Sequence, residues 1–190
     1  MKSLHRPDLY GWSRFDEARN LDFNSVAWVR EGGNVLIDPL ELTAHDRDHL
    51  EKLGGVALIV ITNSEHRRAC ESVAAAFGAK VLMPRGEGGS LGHGDAVVPR
   101  LTAFEMHGSK TPGELALVLD DTTLITGDLI RAQRGGRLNL LPDAKLKDKA
   151  KALESVRALI AAHPKIDAVL VGDGWPAFRD GLTRLKELVE

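Results

Sequence analysis

Residues 57–68, ALIVITNSEHRR, constrain the fold more than any other stretch of the chain. A run of apolar, largely β-branched residues stops abruptly at polar and charged side chains. The run at 56–62 reads as a strand buried on both faces. Buried strands that deliver polar groups at their carboxyl ends are how α/β proteins commonly build a site. The surrounding chain supplies the rest of such a pattern. Segments 10–15 and 22–30 read as early strands. Gly32-Gly33-Asn34 is a hairpin signal, and 35–38 is the return strand, ended by Pro39. Thr43 can cap a helix running to Leu53, which Gly54-Gly55 stops. Cys70, Val73, Ala74 and Phe77 have helical spacing, so a helix is predicted over 65–77, capped by Gly78. A short strand at 80–83 follows.

The second half has a different order. Gly86, Gly88, Gly89 and Gly92 make 85–94 a loop. Consecutive strands are predicted over 97–106, 114–119 and 122–126, with Asp120-Asp121 as the turn between the last two. Leu146, Ala150, Leu153, Val156 and Leu159 mark an amphipathic helix whose charge run, KLKDKAK, is a solvated face. A strand at 166–171 and a closing helix through Phe178, Leu182, Leu185 and Leu188 complete the chain. No linker interrupts this order. Two sheets, each covered by helices on its outer face, accommodate it within a single domain over 1–190.

Composition narrows the function classes. Hydrophobic content of 43% and charged content of 27% fit a soluble globular domain. The net charge of −2 offers no basic excess to a phosphate backbone, so a nucleic-acid partner is not expected. No apolar run approaches the roughly 20 residues a bilayer-spanning helix needs, so no membrane association is expected. The segment MKSLHRPDLYGW lacks the apolar core of a secretion signal, and the single cysteine, Cys70, excludes an internal disulfide. A cytoplasmic location is the expectation. Cys70 lies on the apolar stripe of its helix and reads as a small buried hydrophobe. A homo-oligomer is compatible with the sequence, which locates no apolar patch for it. The partner is an unidentified small-molecule or protein ligand.

Five segments resemble, in order, the motifs of the metallo-β-lactamase-fold hydrolases, an α/β class with a four-layer αββα sandwich. NVLIDP at 34–39 looks like a first strand ending in an aspartate, here Asp38. ITNSEHRR at 61–68 sits where the family has a strand followed by T-H-x-H-x-D-H. SKTPGELAL at 109–117 is similar to the G-H-T-P-G-S segment. LITGDL at 124–129 resembles the motif with the metal-bridging aspartate, and LVGDG at 170–174 the late G-H-G motif. The resemblance places Asn63, Glu65, Arg67 and Arg68 at the H, H, D and H positions. Lys110 falls on the third-motif histidine, Asp128 on the bridging aspartate and Asp173 on the last histidine. Only Asp128 keeps the family's residue type.

That substitution pattern opposes a dinuclear zinc site. Zinc takes imidazole, thiolate or carboxylate donors. Arginine has no lone pair to offer, and lysine must first lose its proton. The expectation is a network without cofactor, in which Glu65, Asp128 and Asp173 pair with Arg68, Lys110 and Arg67, with Lys110 beside Asp128. The usual hydrolase activity would then be absent. Two alternatives remain open. One divalent metal at Glu65, Asp128 and Asp173 would serve an atypical hydrolase of a small anionic ester, lactone or phosphoester. Alternatively, Arg67, Arg68 and Lys110 would clamp an anionic ligand without metal.

Other residues are weighed against blander readings. His66 falls on a motif spacer and is expected to point away from the site as a surface helix residue. His107 ends a strand three residues before Lys110. It would line the pocket as an acid or base, or simply bond backbone or water, and the second reading is favoured. His45 and His49 share a helix face and imitate a metal motif, but they sit after a cap rather than after a buried strand. Trp175 and Pro176 are expected at the pocket rim.

Overall fold

A computed structural model describes residues 1–190. The chain begins with strands β1 (Lys2–Ser3), β2 (Leu9–Asp16), β3 (Leu21–Trp28) and β4 (Val35–Ile37). Helix α1 (Ala44–Lys52), β5 (Leu58–Val60), α2 (Cys70–Phe77) and β6 (Lys80–Leu82) follow. Then come β7 (Ala96–Val98), β8 (Leu101–Met106), β9 (Glu114–Leu119), β10 (Thr123–Thr126), β11 (Ile130–Arg134) and β12 (Arg137–Leu140). Helix α3 (Lys149–Ala162), β13 (Ala168–Val171) and α4 (Gly181–Lys186) close the chain.

Two mixed sheets result. The first has the order β1-β2-β3-β4-β5-β6, antiparallel as far as β4 and parallel from β4 to β6. The second has the order β13-β10-β9-β8-β7, with only the β10–β13 pair parallel. Three apolar layers hold four structural layers together. Between the sheets lie Val26, Trp28, Ile37, Val60, Leu115 and Leu117. Leu36, Ile59 and Ile61, which alternate with those residues, face α1 and α2 through Leu50, Cys70 and Val73. Val118, Leu124 and Val169 face α3 through Val156 and Leu159. This alternation is why the strands read as continuous apolar runs: both faces are covered.

Sheet register determines where the polar strand ends meet. Ile37 pairs with Val60 in the first sheet, and Thr126 with Val171 in the second. Both pairs are parallel, so Asp38, Asn63, Asp128 and Asp173 emerge from the same ends of their strands. The Leu115 amide donates to the Thr62 carbonyl at 2.8 Å and ties the two sheets at this edge.

Several local expectations need correction. The helix predicted over 65–77 starts only at Cys70, because Arg68 has φ +40° and ends a separate 3₁₀ turn at Ser64–His66. The strand predicted over 97–106 is the hairpin β7–β8, reversed at Arg100 with φ +78°. The β11–β12 hairpin was not anticipated. Its charged residues Arg131, Arg134 and Arg137 hide the apolar pattern, although Gly135-Gly136 carries the same turn signal as Gly32-Gly33. By contrast, Thr43 forms the N-cap of α1, in a capping box with Asp46. No helix is long and apolar enough to cross a membrane.

Gly174 fixes the backbone beside Asp173. It has φ +97°, and a Cβ there would lie 1.9 Å from the Ala132 carbonyl oxygen. Gly78 also has positive φ but meets nothing within 4 Å. Gly174→Ala should therefore destabilise the protein by at least about 2 kcal/mol. Gly78→Ala should carry only the left-handed strain of about 1–2 kcal/mol. Urea unfolding of the two variants checks this; equal losses would contradict it.

Candidate active site

Asp38 is the first anchor. It is buried, with φ +49°, a conformation aspartate tolerates better than most residues. Its carboxylate accepts from the Thr62 amide at 2.7 Å and the Thr62 hydroxyl at 2.6 Å. A third partner is His66, whose Nδ1 lies 2.7 Å from Asp38. His66 is therefore buried inside the site and is not the outward surface residue the spacer position implied. The early end of the 3₁₀ turn explains the difference. Gly172 makes room for the ring, since a Cβ there would lie 2.8 Å from Cε1 of His66.

Asp128 is the second anchor. Asn63 donates to it at 3.0 Å, and His66 Nε2 lies at 3.5 Å. Lys110 Nζ is 3.1 Å away, as anticipated, and an Arg131 Nη is 3.2 Å away. Arg131 also binds Asp173, so its guanidinium bridges the two carboxylates. Arg68 completes the group at 3.4 Å from Asp173 while donating to the Asn24 carbonyl at 2.6 Å. Glu65 lies further out, 56% exposed at the side chain, and pairs with Lys110.

The structure thus joins Asn63, Glu65, Arg68, Lys110, Asp128, Asp173 and Asp38 at one place. It leaves out Arg67, His107 and the expected rim residues Trp175 and Pro176, the last two lining a separate cavity with Trp12 and Val26. Arg67 points into a separate cleft beside Cys70. His107 lines another cavity of about 710 Å³, together with His93 and Lys147, and its amide bonds Ser155. It also adds His66, which the sequence reading had turned outward, and two residues that reading passed over, Arg131 and Glu114. Glu114 is buried at the start of β9, accepts from Ser109 and takes the Leu129 amide at 2.7 Å.

Charge coupling shifts the ionisation of this cluster. Burial opposes a charge on His66, but the Asp38 carboxylate and the bonds to Asp128 and Asp38 outweigh it and raise the imidazole to about 9. Burial likewise opposes ionisation of Asp128, and His66 and Lys110 together hold it below the ordinary carboxylate range. Glu114 is pushed up to about 7, first by burial and then by the Asp128 charge. Asp173 is raised by burial, which Arg131 only partly offsets. The centre therefore holds an imidazolium beside two guanidiniums and an ammonium. Chemically it can hold and orient an anion or exchange protons at Glu114.

The sign of the pH dependence follows. A raised folded-state value means that the stabilisation is complete below the unfolded value and is lost as pH rises through the folded one. For His66 that window runs from 6.5 to about 9. Glu114 acts in the same sense from 4.5 to about 7. Unfolding free energy should fall from pH 6.5 to about 9 by on the order of 3 kcal/mol. His66→Gln should remove most of that slope. A wild-type profile that rises across this window in urea titrations would contradict the ionised imidazole.

Comparison with solved structures places this geometry in a known fold. A metallo-beta-lactamase from Erythrobacter litoralis superposes with a TM-score of 0.72 at 16% identity, covering 98% of this chain and 90% of that one. One from Pontibacter korlensis gives 0.73 at 14% identity, with 97% and 95% covered. The DIM-1 metallo-beta-lactamase gives 0.73 at 12%, with 97% and 94% covered. At such identities the likeness concerns the fold. No curated protein sequence matches the chain. A family model described as the metallo-beta-lactamase superfamily matches residues 1–190. The chain belongs to the metallo-beta-lactamase superfamily.

Proposed function

We propose that this protein is a metal-independent member of its superfamily, in which protein-borne cations take the electrostatic place of the metal ions. The usual two-metal hydrolysis would then be absent, and the centre would act by holding a ligand. The observation that carries this reading is the Arg131 guanidinium bridging Asp128 and Asp173, with Lys110 on the other side of Asp128. A divalent ion at those carboxylates would lie within a few ångströms of fixed positive charge, and arginine cannot shed its proton. The donor set does not fit zinc while those side chains stay in place.

A second reading rests on a separate observation. Ligand atoms of His66, Asp128 and Asp173 lie within 4.8 Å of one another. They would suit a single ion if Arg131 swung out and His66 lost its proton. This set differs from the one expected from sequence, because Glu65 is held at the rim by Lys110. In that form the protein would be a single-metal hydrolase of a small anionic ester, lactone or phosphoester.

The two readings separate experimentally. Purified protein incubated with zinc or manganese and then dialysed should retain almost no metal by elemental analysis and show no thermal shift. Arg131→Ala should destabilise the fold by about 3–5 kcal/mol, since it strands two buried carboxylates. It should also gain affinity for zinc, because it removes the charge that opposes the ion. Lys110→Ala, at a position 19% exposed, should cost about 1–3 kcal/mol. Stoichiometric zinc in the wild type, lost in Asp128→Ala, would overturn the first reading in favour of the second.

A further inference from the structure

The ion network is electrically closed, and the cavity above it is not. Among the ion-paired side chains, the carboxylates of Asp38, Glu65, Asp128 and Asp173 face the cations His66, Arg68, Lys110 and Arg131, four against four, with Glu114 beside them pushed up to about 7. The cavity over this floor has a volume of about 290 Å³. Its rim adds Arg19 and Lys145 and no further carboxylate. Arg19 is paired with Asp16 at 3.7 Å, a carboxylate outside the cavity wall. Lys145 has no ion pair. One cation lining the cavity, Lys145, is therefore without a carboxylate partner, in a chain whose net charge is −2.

The Arg19 and Arg68 guanidiniums both lie over Phe23, at 5.5 and 5.4 Å from the ring centre, each with a carboxylate of its own, Asp16 and Asp173. One further observation points to an occupant. The side chain of Arg131, 7% exposed, also lines the cavity, and its Nε–H is buried without an acceptor. Unsatisfied buried donors are rare in native proteins. An oxyanion seated on the cavity floor, after a small turn of the guanidinium, would supply the missing acceptor. Leu21, Phe23 and Leu40 give the same cavity an apolar wall.

We infer that this basin binds a small doubly charged oxyanion, a phosphate monoester or a short dicarboxylate with an organic body of a few carbons. Arg19 and Lys145 neutralise its charge at the rim, and Arg131 and Lys110 meet its oxygens at the floor. The volume, at the low end for small-molecule sites, suits a ligand of that size. This inference rests on the metal-free reading of the same centre, so its test is run on protein stripped with EDTA.

Thermal unfolding in inorganic phosphate and in succinate, each against sodium chloride at matched ionic strength, is the experiment. At tenfold the dissociation constant the midpoint should rise by roughly 3–5 °C with at least one of the two anions. Which anion gives the larger shift assigns the source as phosphate or carboxylate. The double variant Arg19→Gln, Lys145→Gln changes exposed side chains and should keep the wild-type midpoint in chloride. It should lose affinity for the anion by at least about tenfold. No shift beyond chloride with either anion, or an undiminished shift in the double variant, overturns the inference. Zinc uptake by the wild type would instead count against the metal-free reading and leave the EDTA result standing.

Discussion

Asp128 is a buried carboxylate that three cations compensate, and the geometry of the site depends on that compensation. Lys110, His66 and Arg131 approach it from three separate parts of the chain. Lys110 lies in the loop before β9, His66 in the 3₁₀ turn after β5 and Arg131 in β11, so the ion pairs also hold these segments in register. Desolvation offsets much of the Coulomb gain in such an arrangement. Its larger effect is on specificity: any loop that moved would leave a charge unpaired in a poor dielectric. That is a physical reason for two sheets to present their strand ends in one fixed arrangement.

The network also links ionisation states that would otherwise be independent. His66 stays protonated because Asp38 and Asp128 are ionised, and Asp128 stays ionised because His66 and Lys110 are charged. Glu114 lies at the edge of this system and is raised by the same Asp128 charge that the cations stabilise. A change at one member therefore propagates as a change in charge at its neighbours, and single substitutions here will not be additive.

The layered fold was legible because the strand cores are continuous apolar runs and the polar residues start where the runs stop. Asp38, Asn63, Asp128 and Asp173 sit at such stops, and the structure brings them together. What remained hidden depended on local backbone departures. The motif-spacer position of His66 implied an outward side chain; the 3₁₀ turn at Ser64–His66, broken off before the left-handed Arg68, turns it inward instead. Arg131 lies in a hairpin whose charged residues mask its strand period, so periodicity gave no hint that it would bridge two aspartates. Glu114 read as the first residue of a strand, and its burial follows from Ser109 and Leu129 partners that only the folded loops create. Arg67 was grouped with the site by motif position alone, and the same break at Arg68 sends it to another surface.

The most direct examination of these ideas is a crystal grown in the presence of zinc, with diffraction recorded on both sides of the zinc absorption edge. A metal-independent centre predicts no anomalous peak beside Asp128 and continuous density for the Arg131 guanidinium between Asp128 and Asp173. An anomalous peak coordinated by Asp128, with Arg131 and Lys110 turned to solvent, would contradict it.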